Sequence, residues 1–189
     1  MSRQQSSRHQ DGFSLIELMI TVTVIIVLIA IGVPSFKSTM RSSRVTDQAN
    51  QMLAAFNLAR TEAIRTNLSA GICPTANPTA GMGATCSAGA WNTGWLVFDD
   101  TNGNGTADAG EVVRVFTADS SMTLVPAATL QTPILFNNQA IPTSTIPTGA
   151  SPPAALVLTP ISCPTGLAIV RSFYVNTTGQ FRTQTGNCP

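Results

Sequence analysis

The chain has 189 residues, 43% of them hydrophobic, 10% charged and 6% aromatic, which suits one anchor and one modest globular domain. Its abundance of Ser, Thr, Asn, Gly, Ala and Pro favours short strands and turns over a helical bundle. A net charge of +1 gives the chain as a whole no electrostatic case for binding nucleic acid.

Residues 1–11 are polar, with Arg3 and Arg8 set against Asp11. From Phe13 to Val33 the sequence is almost wholly apolar, 21 residues long. As a helix this run spans about 30 Å, the hydrocarbon thickness of a bilayer. The basic residues precede it, so the leader is expected to stay cytoplasmic and the C-terminal part to be exported. A secretory signal is cut after its apolar stretch, at small residues. Here Gly12 stands before the stretch, and one acid, Glu17, interrupts it. A carboxylate in lipid costs about 2.5 kcal/mol or more, which makes Glu17 a functional candidate.

The segment Gly12-Phe13-Ser14-Leu15-Ile16-Glu17-Leu18 resembles the prepilin signature of type IV pilins and type II secretion pseudopilins. The resemblance implies cleavage between Gly12 and Phe13 by a prepilin peptidase, N-methylation of Phe13, and a mature chain of residues 13–189. It also implies that Glu17 attracts the Phe13 amine, on its own or a neighbouring subunit, and sets register during assembly. Pro34 falls where family members carry a helix-kinking proline.

Beyond the anchor, apolar residues recur at helical spacing: Val45, Ala49, Met52, Leu53, Phe56, Ala59 and Ala63. Residues 34–68 therefore read as an amphipathic continuation of the anchor helix, with Asn67 and Gly71 as its stop signals. From residue 69 the chain reads as β-rich. Strands are expected at 71–73, 95–98, 112–116, 122–125, 134–136, 156–159, 168–175 and 180–183. The Pro/Ser/Thr-rich stretch 141–155 reads as an exposed loop. Trp95, inside a strand run, is expected in the core and Trp91, among glycines, at the surface. The economical architecture is α+β and pilin-like, a long N-terminal helix packed on an antiparallel sheet.

The distal half also resembles the GspH/FimT type of minor pseudopilin. The residues that carry this likeness are Gly94-Trp95-Leu96-Val97-Phe98-Asp99, then Asp108-Ala109-Gly110-Glu111, and Tyr174-Val175-Asn176-Thr177-Thr178-Gly179-Gln180-Phe181-Arg182. The implied role is a structural, assembly-initiating subunit of a type IV pilus or type II secretion pseudopilus. It would be held in the inner membrane with its C-terminal domain periplasmic, and its partners would be other pilins and the membrane assembly platform.

Four cysteines, in a domain expected to be exported, imply disulfides. Of three possible pairings, Cys73–Cys86 and Cys163–Cys188 close the most local segments. Zinc is the rival reading, but there is no CxxC pair and the only histidine is His9, in the leader. Residues 100–111 match the twelve-residue calcium-loop spacing D-x-N-x-N-G-x5-E. Asp100, Asn102, Asn104, the Thr106 carbonyl, Asp108 and Glu111 would be the oxygen ligands for Ca2+. The flanks read as strands, so the alternative is an Asn/Gly hairpin with solvated carboxylates.

FimT-type members that resemble DNA receptors carry Gly-Arg-x-Arg near the C-terminus. Gly179-Gln180-Phe181-Arg182 stands there instead, with Gln replacing the first Arg. Arg171, Gln180 and Arg182 form a candidate DNA contact if they share a face, while alternation assigns Phe181 to the core. No catalytic constellation is visible: the mature chain holds no histidine and the sequence has no G-x-S-x-G.

Overall fold

The computed structural model describes residues 13–147 and 154–189. The chain falls into two compact units that divide at Met40 and Arg41. One helix, α1 (Leu15–Thr66), supplies residues to both.

In the first unit, α1 exposes every large apolar side chain from Leu15 to Val33. The hydroxyls of Thr21 and Thr23 donate to the carbonyls of Leu18 and Ile20 at 2.9 and 2.8 Å. Each thus hides its polarity within its own turn, which suits a helix with no water around it. It is the one helix among the described residues long and apolar enough to cross a membrane.

In the second unit, α1 ends at Thr66 because Asn67 takes a left-handed conformation, φ 57°, as a helix-terminating residue. Gly71, the other expected stop, lies inside β1 (Ser69–Pro74), where the Phe98 ring and Leu135 crowd its Cα and leave no room for a side chain.

Seven strands follow: β2 (Gly94–Asp100), β3 (Val112–Thr117), β4 (Met122–Pro126), β5 (Ile134–Phe136), β6 (Leu156–Pro160), β7 (Val170–Val175) and β8 (Phe181–Gly186). They form two antiparallel four-stranded sheets, ordered β3-β2-β1-β5 and β4-β6-β7-β8.

One continuous core joins α1 to both sheets. It holds Val45, Met52, Phe56, Ala59 and Ala63 of the helix with Trp95, Val97, Phe136, Leu156 and Phe173 of the strands. Phe56 lies at its centre, edge-on to Phe136 and stacked on Phe181. Gln48 sits in the same apolar stripe, where Oε1 accepts the Asp119 N–H at 2.9 Å and ties the helix to the β3–β4 turn.

The other face of the first sheet is also covered. Leu96 and Phe98, alternate to Trp95 and Val97 along β2, pack with Cys73, Ala84, Ala107 and Val112. A Cys73–Cys86 disulfide holds the 75–93 segment on this face. Cys163–Cys188 does the same for the chain end, beside Ile169 and Val170.

Two surface expectations are corrected. Trp91 is fully buried, at 0% exposure, because the segment that carries it folds onto β4. Asn92 Oδ1 accepts the Leu124 N–H there. Within the 141–155 stretch, Ile146 and Ala155 enter the core, whereas residues 148–153 lie outside the described part.

Asp119 organises the β3–β4 turn. Its Oδ1 accepts from Ser121 N and Oγ at 2.8 and 2.7 Å. These bonds, the Ser121 hydroxyl first, hold its carboxyl below the ordinary value of 3.8, with Arg44 adding a smaller pull. The folded pKa is below the unfolded one, so the stabilisation is present above pH 3.8 and lost as pH falls through the folded value. Asp119→Asn is therefore expected to make stability fall less steeply with acid. Denaturant titrations from about pH 5 to about pH 2 test this, and an unchanged slope would contradict it.

Candidate functional site

Three regions hold the residues singled out by sequence. At the N-terminus, Phe13 and Glu17 are exposed at the start of α1. Gly12 and the rest of 1–12 lie outside the described residues. Phe13 and Glu17 are four positions apart, so in a continued helix they would share a face. α1 runs on through position 34 and places Glu17 within its first turn.

The second region is the loop between β2 and β3. A register shift at Val97/Phe98 precedes it, and the Asp99 N–H donates to the Glu111 carbonyl at 2.9 Å to close its base. Asp100 and Glu111, the first and twelfth loop residues, are only 4% and 6% exposed. Glu111 Oε1 accepts from Thr101 N at 2.9 Å and Thr101 Oγ1 at 2.5 Å, and Oε2 accepts from Asp108 N at 3.1 Å. The Thr101 hydroxyl, followed by the backbone donors, keeps the Glu111 carboxyl below its usual range despite burial.

Asp100 Oδ2 accepts the Gly105 N–H at 3.1 Å, and Gly105 itself adopts φ 73°, a left-handed turn that glycine makes freely. Asp108 Oδ2 accepts the side-chain amides of Asn102 and Asn104 at 2.8 and 2.6 Å. Asn102 Oδ1 and Asn104 Oδ1 accept the N–H groups two residues on, at Asn104 and Thr106. Among the described residues, no three Asp, Glu, His or Cys side chains gather as a metal-holding group by themselves.

Beside the loop runs an open cleft of about 380 Å³, lined by Asp100, Thr101 and Asn102 of the loop together with Asn67, Ser69 and Asn137. Asp99, pointing elsewhere by alternation, accepts from Arg65 at 3.4 Å. Burial and then Glu62 raise its pKa, with Arg65 opposing.

The third region is the β7–β8 hairpin. Asn176 Oδ1 accepts from Thr178 N, Thr178 Oγ1 and Gln180 N, at 3.1, 2.8 and 2.7 Å. Gln180 in turn accepts from Asn176 Nδ2. The ladder pairs Arg171 with Thr185 and Arg182 with Tyr174. Arg171 thus shares its face with Phe173 and Phe181, and Arg182 lies on the opposite one. Phe181 stacks on Phe56, so it is held in the core.

Gly179 sits here at φ 76°, pressed against the Ala140 carbonyl. Gly179→Ala is expected to cost about 1–3 kcal/mol through strain and crowding. Chemical unfolding checks this, and a neutral result would contradict the turn geometry.

The comparisons fit this arrangement. The model of Type II transport protein GspH matches residues 48–179, more than two thirds of the chain. The chain belongs to the GspH family. A second model, the prokaryotic N-terminal methylation motif, matches residues 7–33, which include Gly12, Phe13 and Glu17. Prepilin peptidase-dependent protein D of Escherichia coli (strain K12) is 45% identical over 38 residues, 20% of this chain and 26% of that protein. The chain thus covers about a quarter of that relative's length. No solved structure matches.

This GspH-family chain is a pilin-like minor pseudopilin with an N-terminal methylation motif. Both matched families are structural components rather than enzymes. The apolar helix and the motif together are those of an inner-membrane-anchored protein.

Proposed function

We propose that a prepilin peptidase cuts the chain between Gly12 and Phe13 and that Phe13 is then N-methylated. Residues 13–33 anchor the product in the inner membrane, with the β-rich domain in the periplasm. The mature subunit joins other pilins, through the assembly platform, at the tip or start of a type II secretion pseudopilus or type IV pilus. The observation that carries this reading is the exposed apolar helix whose one charged residue between 13 and 33 is Glu17, preceded in the sequence by Gly12 and Phe13. Such a helix needs lipid or neighbouring apolar helices to cover it. A free Phe13 amine is the natural counter-charge for Glu17.

The test is deletion and complementation. Loss of the gene is expected to reduce filament number or secretion, and the chain is expected in purified filaments at low copy. Normal filaments without it would overturn the assembly role.

DNA capture by Arg171, Gln180 and Arg182 is the second reading. The register puts the two arginines on opposite faces, and Gln180 Oε1 and its backbone N–H are bonded to Asn176 within the hairpin. Phosphate affinity scales with the number of converging cations, so we adopt the assembly role. A salt-sensitive gel shift abolished by Arg182→Ala would reverse that choice.

A further inference from the structure

The 100–111 loop holds two buried carboxylates that no basic side chain compensates. Among the described residues, the ion pairs involve Arg65 with Glu62 and Asp99, and none reaches Asp100, Asp108 or Glu111. Glu111 is served by three donors, but Asp100 is not. Its Oδ2 takes the Gly105 N–H, which turns the carboxylate into the loop, while its Oδ1 is buried and accepts nothing. A buried carboxylate oxygen left without a donor is costly, and a bound cation is one partner that removes the cost. Asp100 also lines the cleft beside the loop, together with Thr101 and Asn102.

We propose that residues 100–111 bind one Ca2+ ion, with Asp100 Oδ1 as the anchoring ligand and Asn102, Asn104, Asp108 and Glu111 closing around it. The amides of Asn102 and Asn104 now turn their nitrogens towards Asp108 Oδ2. Their Oδ1 atoms accept the Asn104 and Thr106 N–H groups and each keeps a second lone pair, which a small side-chain rotation brings to the cation, so that the cation replaces the amide N–H groups as the partner of Asp108. The Thr106 carbonyl completes the set at the seventh position. Calcium accepts this mixture of carboxylate, amide and carbonyl oxygens in a pliant, glycine-containing loop, whereas magnesium demands a rigid octahedron and zinc seeks nitrogen or sulfur. Three carboxylates with amide oxygens place the affinity among the weak extracellular modules, at about 10⁻⁴–10⁻³ M. The expected consequence is a stiffened β2–β3 connection at the edge of the first sheet.

The experiment is calorimetric titration of CaCl2 into the full chain in detergent micelles after chelator treatment, with MgCl2 in parallel and limited proteolysis of the loop as a second readout. One ion per chain is expected, with cleavage within 100–111 suppressed by calcium and not by magnesium. Asp100→Asn is expected to weaken binding at least tenfold. Asp108→Asn is expected to do likewise and, because Asp108 is exposed and not part of the loop base, keeps the test valid if Asp100→Asn fails to fold. Asp119→Asn, outside the loop, is expected to bind as the parent does. Absence of saturable binding up to about 10 mM, equal response to magnesium, or unchanged affinity in both loop variants would overturn the proposal.

Discussion

Phe56→Ala is expected to lower the stability of the folded domain by about 3–5 kcal/mol. The side chain is completely buried and touches both sheets, through Phe136 of β5 at a centroid distance of 6.4 Å and Phe181, the first residue of β8, at 3.5 Å. Truncation opens a cavity where α1 meets β5 and β8, which belong to two separate sheets. The loss would be a large share of the roughly 5–15 kcal/mol available to a domain. Leu53→Ala, one turn away and only half-buried, is expected to cost about 1 kcal/mol. Urea unfolding of the full chain in micelles measures both. Equal, small effects would mean that α1 does not bridge the two sheets.

Glu17→Leu is expected to leave membrane insertion intact while cutting recovery of the chain in filaments at least tenfold. Insertion becomes easier when a carboxylate leaves the apolar run. On the proposed role, assembly would lose the carboxylate that attracts the Phe13 amine and leave that charge without a partner. Tenfold corresponds to about 1.4 kcal/mol, modest for a desolvated charge pair. Glu17→Gln keeps the shape and removes the charge, so the same defect is expected. Quantitative immunoblots of sheared filaments and membranes separate the two effects. Normal incorporation of both variants would show that Glu17 has no part in register.

Much of the fold was legible because its strands are bounded by Gly, Pro, Asn and Asp turns and its helix by spacing. The end of α1 was half legible. Asn67 reads as a stop and is one, but Gly71 reads the same way and serves close packing beneath Phe98 instead. Trp91 reads as exposed because glycines flank it, and only the folding of that segment onto β4 shows that it is covered. Gln48 carries no sequence signal, because a polar residue on an apolar stripe means nothing until its partner, the Asp119 N–H, is known.

The split into two sheets rests on non-local pairing. β1 lies between β2 and β5, and β6 between β4 and β7. No local signal encodes that order. Arg171 and Arg182 read as combinable because sequence alone does not fix the register of the β7–β8 hairpin, which sets them on opposite faces. The spacing of the 100–111 loop was plain in the sequence. The unpartnered oxygen of Asp100 was not, since it depends on burial.

The central claim, that this GspH-family chain is a processed pseudopilin, is tested most directly by its N-terminus. Intact-mass and N-terminal analysis of the protein from native membranes is expected to show a chain starting at N-methylated Phe13 with both disulfides, Cys73–Cys86 and Cys163–Cys188, formed. A chain that retains residues 1–12 in cells with an active prepilin peptidase would contradict the account and leave an ordinary membrane-anchored protein.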